Sequence, residues 1–359
     1  MSDQRNEFDH DKEPFGFRTL VVSFPVFFFV VLVALILVID RSAFSSLNAA
    51  IPSFDSESHQ KHTNELKQLE ERASWWHIPD LEALPEGKEK EYILYGQQLI
   101  IHTSRFLGPN GSVRKLSNGM NCQNCHLDAG TKIWGNNYGG VRATYPKLRA
   151  RSGKIEDIPK RINDCIQRSL NGKALERNSR EMRAIVAYID FLGSKVPKDT
   201  IPRGTGIHKL SYLQRPADPM RGKLVYETHC ASCHGTNGEG MPAANGFEYV
   251  NPPLWGDLSY NTGAGMYRLS RLAGYVKYNM PYGVRYPDFR LSDAECWDVA
   301  AFINSQPRPV MDISGDWPDI SKKPVDHPFG PFIDGFSEQQ HKYGPFGPIE
   351  QAARLVQKK

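Results

Sequence analysis

Cys122-Gln123-Asn124-Cys125-His126 and Cys230-Ala231-Ser232-Cys233-His234 are two copies of one pattern, C-x-x-C-H, in a chain of 359 residues. A lone C-x-x-C serves a redox disulfide or half a zinc site. A histidine directly after each copy selects a different chemistry: the two sulfurs form thioethers with haem vinyl groups, and the histidine reaches the iron from one side. The pattern therefore implies two covalently bound haem c groups, held by Cys122, Cys125 and His126 and by Cys230, Cys233 and His234. Attachment of this kind takes place outside the cytoplasmic membrane, which places the body of the chain in the periplasm.

Around each motif the same plan repeats. Glu91–Leu107 has apolar residues at three- and four-residue spacing and predicts a helix before the first motif. Ser179 is placed to cap a helix with apolar face Met182, Ile185, Val186 and Ile189, ended by Gly193 and Pro197. Ser292 with Glu295 makes a capping box, Leu291 a staple onto Cys296, and the helix stops before Pro307. Cys296 needs no role beyond that buried position. No strand signal of comparable quality appears. The expected fold class is mainly α: two tandem class I cytochrome c domains behind a single N-terminal transmembrane helix, with an extended Pro/Gly-rich C-terminal tail.

The anchor is Thr19–Ile39, 21 residues without a charge and with Pro25 as the only breaker. A helix of that length reaches ~30 Å, the hydrocarbon thickness of a bilayer. Signal-peptide apolar regions run to roughly 7–15 residues and end at a small-residue cleavage site, whereas Asp40 and Arg41 follow this one directly. The expected organisation is a cytoplasmic segment (1–18), the span (19–39), a stalk (40–74, with a short solvated helix at His62–Ala73), domain 1 (75–196), a linker (197–219), domain 2 (220–306) and a tail packed on the body (307–359). The protein is thus expected in the inner membrane, single-pass, with its haem domains in the periplasm.

Composition excludes other classes. Hydrophobic residues make up 40% and charged residues 23%, enough for packed domains, and a net charge of +4 is too small for a nucleic-acid binder. The charge is unevenly spread: residues 131–180 hold twelve Lys and Arg against four Asp and Glu. Arg142, Arg149, Arg151, Arg161 and Arg168 fall in this stretch. A solvated basic face, or loops neutralising haem propionates, is one reading; an anion site of planar, bidentate arginines beside a haem is the other.

The sixth iron position decides the chemistry of each haem. For the second, Met241, Met266 and Met280 are candidates; Met241 lies close behind His234, whereas Met280, before Pro281 and the terminal helix, is where a cytochrome c domain presents its axial ligand. A core methionine is the commoner role in general. The first domain has no methionine between His126 and Ser179, but it has Cys165 among polar neighbours. An unpaired cysteine is most often a small buried hydrophobe; as a thiolate on iron it would lower the potential, where methionine raises it.

Five stretches resemble the dihaem thiosulfate dehydrogenases: Cys122–His126, Tyr145–Gly153, Arg161–Gly172, Asn279-Met280-Pro281 and Asp334–Phe346. The resemblance runs from about Trp75 to Ile349 and is carried by the Cys165 stretch and the tail, since C-x-x-C-H occurs in every cytochrome c. It implies oxidation of two thiosulfate ions to tetrathionate at a His126/Cys165-ligated haem. Electrons would leave through a His234/Met280-ligated haem to an external acceptor such as a cytochrome c or a membrane oxidase. By position it makes Cys165 the axial thiolate and puts Arg151, Arg161 and Ser169 around the sulfur anion. Some members place a lysine just before the axial methionine; here that residue is Asn279, with Lys277 two positions earlier. The other readings are a non-catalytic dihaem electron-transfer subunit beside an oxidase, and the same site running as a tetrathionate reductase.

Overall fold

The computed structural model describes residues 74–356, together with 32, 63–65 and 71. The expected anchor at 19–39 lies, Leu32 apart, outside the described residues, as do most of the stalk and the helix expected at His62–Ala73. Among the described residues no helix is long and apolar enough to cross a membrane.

Eight helices of six residues or more follow one another among the described residues: α1 (Lys88–Ile101), α2 (Ile158–Arg168), α3 (Arg180–Leu192), α4 (Pro219–His229), α5 (Leu269–Asn279), α6 (Asp293–Ser305), α7 (Glu338–Tyr343) and α8 (Phe346–Val356). Two small antiparallel ribbons accompany them, β1 (Lys147–Arg149) with β2 (Lys154–Glu156) and β3 (Met241–Pro242) with β4 (Tyr249–Asn251).

Each motif-bearing half is organised by one helix crossing. In the first, α1 crosses α3 at Gly96, where an added Cβ would lie 2.0 Å from the Ala184 carbonyl oxygen. In the second, α4 crosses α6 at Gly222, where a Cβ would lie 1.9 Å from the Asp298 carbonyl oxygen. Only glycine lets two backbones approach so closely. The buried side chains that close the cores include Leu99, Met182, Ile185 and Tyr188 in the first half and Tyr226, Trp297, Val299 and Ile303 in the second.

The helix starts follow their caps. Ser179 accepts from Met182 N–H, and Ser292 forms the full capping box with Glu295. Three expectations change. The helix expected at Glu91–Leu107 starts earlier and breaks at His102 (φ −117°, ψ 39°) before a short second piece, Thr103–Leu107. Thr103 Oγ1 bonds back to Leu99 O at 2.7 Å, a side-chain contact that competes with the helix ladder. Short strands are present after all; β2 has the pattern Lys-Ile-Glu, too brief for a periodicity to register. The tail is not extended throughout: it ends in α7 and α8, with Phe346 and Ile349 buried.

From residue 72 onward the chain forms a single unit, and side chains stitch the halves together. Tyr275 Oη donates to Asn124 O (3.0 Å), Asn279 Nδ2 to Trp134 O (3.1 Å) and Asn118 Nδ2 to Ser259 O (3.0 Å). The tail adds ties to both halves: Asp316 accepts both guanidinium nitrogens of Arg168 at 2.7 Å, and Asp326 pairs with Arg268 and Ser270. The expected linker is not free either, since Gly204 O accepts from Trp134 N–H at 2.8 Å and from the Asn137 side chain.

Candidate active site and haem pockets

The first motif opens onto a cavity of about 360 Å³. Cys122, Cys125 and His126 line one side, and helix α2 supplies another wall with Ile158, Arg161, Ile162, Cys165, Ile166 and Ser169. Those six positions are spaced three and four residues apart, so they form one face of the helix. Asp157 caps its start by accepting from Lys160 N–H, Pro159 lies in its first turn, and Ser169 ends it. Local capping thus aims Cys165 at the cavity that holds the first motif.

His126 Nδ1 lies 2.5 Å from Asn136 O, and the ring stacks on Tyr138 with centroids 4.4 Å apart. A carbonyl accepts only from N–H, so Nδ1 carries the proton and Nε2 keeps its lone pair for a metal. Burial lowers the His126 pKa to about 4 and raises the Cys122 and Cys125 thiols to about 11 and about 12. The residues fit a covalently held haem: two cysteines, a histidine of fixed tautomer and a cysteine share one largely apolar cavity.

The basic residues divide. Lys147, Arg149 and Arg161 line the cavity with Arg271 of helix α5, and behind the wall the buried Glu156 lies 3.8 Å from Arg149 Nε. Arg161 Nη1 lies 3.1 Å from Cys165 Sγ, and Cys165 holds the Arg161 pKa up against its burial. Ser169 is on the wall as expected. Arg151 is not part of it: its side chain lies over Trp317, 5.8 Å from the ring centroid, with Nη1 3.5 Å from Gly263 O. Burial, with Arg168 alongside, lowers Arg151 to about 10. Arg168 is committed to Asp316 and Arg142 is exposed. Arg271, which lies in the other half of the chain, and Lys147 were not among the candidates read from the sequence, whereas Arg149 was one of the arginines read as an anion site.

A second cavity of about 350 Å³ is lined by Cys230, Cys233 and His234. His234 Nδ1 lies 2.8 Å from Pro252 O, which leaves its Nε2 free in the same way. Met280 and Met266 line this cavity, whereas Met241 is an exposed strand residue that does not. Lys277 is held elsewhere, 2.7 Å from Asp293 and 2.8 Å from Leu291 O. Asn279 is buried, with its amide nitrogen bonded to Trp134 O and Tyr275 O. Cys125 lines both cavities, so the two pockets share a wall.

Known proteins carry the same parts. The SoxA/TsdA cytochrome c domain matches residues 113–197, and the cytochrome c family matches residues 219–307. A thiosulfate dehydrogenase of Allochromatium vinosum is 37% identical over 238 residues, covering 65% of this chain and 84% of that one. One of Psychrobacter arcticus is 36% identical over 242 residues, covering 67% and 71%. The solved structure of the thiosulfate dehydrogenase TsdBA from Marichromatium purpuratum superposes with a TM-score of 0.62 at 32% identity; it covers 77% of this chain, which spans 55% of that longer one. With both attachment motifs facing cavities that suit them, the chain is a cytochrome c with two covalently bound haem c groups, and it belongs to the thiosulfate dehydrogenase family.

Proposed function

We propose that this protein oxidises two thiosulfate ions to tetrathionate in the cavity shared by His126 and Cys165. The observation that carries this reading is the wall made by α2, where a cysteine, an arginine and a serine meet the first haem motif in a cavity also lined by Lys147, Arg149 and Arg271. The balance is simple: two dianions form one S–S bond, give up two electrons and leave as one dianion, with no proton exchanged. Bringing two dianions within about 5 Å costs about 3 kcal/mol even at the dielectric constant of water. Lys147, Arg149 and Arg161 are placed to offset that repulsion. Arg161 Nη1 lies 3.1 Å from Cys165 Sγ, the sulfur that would ligate iron.

When bound, the first haem would supply a one-electron acceptor, and His126 and Cys165 would hold its iron. The second would be held by His234 and Met280, the methionine raising its potential relative to the first. The shared wall at Cys125, and the bond from Tyr275 Oη to Asn124 O in the first motif, support electron passage between the two pockets. An external cytochrome c or a membrane oxidase would take the electrons. Residues 19–39, 21 uncharged residues in a row, would anchor the protein in the inner membrane with its haem domains in the periplasm.

Replacing Cys165 by Met tests the reading. Both haems remain attached, because neither thioether is touched, and turnover falls at least about 100-fold, as when a preorganised catalytic group is lost. A variant with normal turnover would remove Cys165 from the mechanism.

A further inference from the structure

Helix α5 faces the first half of the chain with residues four apart. Asn279 donates to Trp134 O and Tyr275 to Asn124 O, and one turn earlier Arg271 lines the Cys165 cavity. Its neighbour Arg268 is bound by Asp326, with Nε at 2.9 Å. Arg271 has no ion pair or side-chain hydrogen bond among the described residues, and it is exposed to the space it lines.

Arg271 also lines a smaller cavity of about 220 Å³, together with His208, Lys209, Arg268 and Ser270. It therefore stands at the junction of two basic spaces. The larger has Lys147, Arg149, Arg161 and Arg271 on its wall; Arg149 also faces Glu156 at 3.8 Å. An exposed arginine with no partner in the protein is available to pair with an anion.

We infer that Arg271 is the second anion-binding pole of the active site. One thiosulfate lies against Arg161 and Ser169, and Arg271 takes the sulfonate of the other at the junction with the smaller cavity. Tetrathionate, with a sulfonate at each end, then spans the two poles. The assignment rests on the thiosulfate reading above, and it makes the site incomplete without the second half of the chain.

The test uses the oxidised holoprotein carrying Arg271→Gln or Arg271→Lys. Tetrathionate is titrated by calorimetry, since the oxidised protein has no electrons to give it, and thiosulfate KM and the first haem's potential are measured alongside. Arg271→Gln is expected to weaken tetrathionate binding and raise the thiosulfate KM, each about tenfold, as for loss of one charge-assisted pair. Both haems stay attached and the first haem's potential does not change; Arg271→Lys recovers part of the loss. Unchanged affinity and KM overturn the assignment. So does a potential that moves together with the affinity, because a propionate contact then accounts for both. Wild-type protein that neither binds tetrathionate nor is reduced by thiosulfate would sink the functional reading itself, a result distinct from failure of Arg271 alone.

Discussion

Met280 and Met266 both face the second cavity, so the structure narrows three candidate ligands to two. Only Met280 lies at the end of a helix and next to a proline; Met266 is buried at 7% exposure, with its backbone oxygen taken by Asn304. If Met280 holds the iron, Met280→His lowers the second haem's potential by on the order of 0.1 V, within the roughly 0.8 V that axial ligands span. Met266→Leu leaves the potential unchanged. Redox titration of the two variants checks this, and the opposite pattern would hand the role to Met266. At this scale much was legible from sequence. Cys165 emerged because the first half has no methionine to offer, and the structure puts it on the cavity wall. Arg271 was not legible, because its place depends on how α5 of one half docks on the other. The placement of Arg151 outside the cavity wall was not legible for a similar reason: Trp317 and Gly263, both distant in sequence, decide where its side chain goes.

At the scale of elements, the capped helices α3 and α6 could be read directly, since their start signals lie within four residues of each other. Helix α2, not among the helices expected from sequence, carries an equally clear signal: Asp157 as cap, Pro159 in the first turn, and the face Ile158, Arg161, Ile162, Cys165, Ile166, Ser169. The helix crossings left no such signal, because a glycine reads alike whether it meets solvent or a neighbouring backbone. Gly96→Ala and Gly222→Ala each force two backbones apart, and each is expected to destabilise the protein by about 2 kcal/mol or more. Gly335→Ala, where a Cβ meets nothing within 4 Å, is expected to change stability by less than about 0.5 kcal/mol. Denaturant unfolding of the three variants makes the comparison; equal losses would mean the crossings are not tight.

For the whole molecule, the tail binds the two halves through two acids, the half-buried Asp316 and the buried Asp326. Asp326 is 1% exposed. Burial would raise its pKa, but Arg268 and the hydrogen bonds from Ser270 and Arg268 outweigh it, and the net shift is downward. A carboxylate with a depressed folded pKa contributes stability above its unfolded value, near 4, and that contribution is lost as pH falls through the folded pKa. Asp326→Asn is therefore expected to cost about 3 kcal/mol at neutral pH by leaving Arg268 without its counter-charge. The gap from wild type should shrink below about pH 4. Thermal unfolding from pH 7 to pH 3 tests this, and a gap independent of pH would place the effect in packing.

Thiosulfate acting directly on the oxidised protein is what every role assigned to the first cavity requires. The decisive measurement is anaerobic mixing of the two, following the haem absorption bands while tetrathionate is assayed. The account predicts that the haems become reduced and that one tetrathionate appears for every two electrons taken up. Haems that stay oxidised with thiosulfate, yet are readily reduced by a small-molecule reductant, would contradict it.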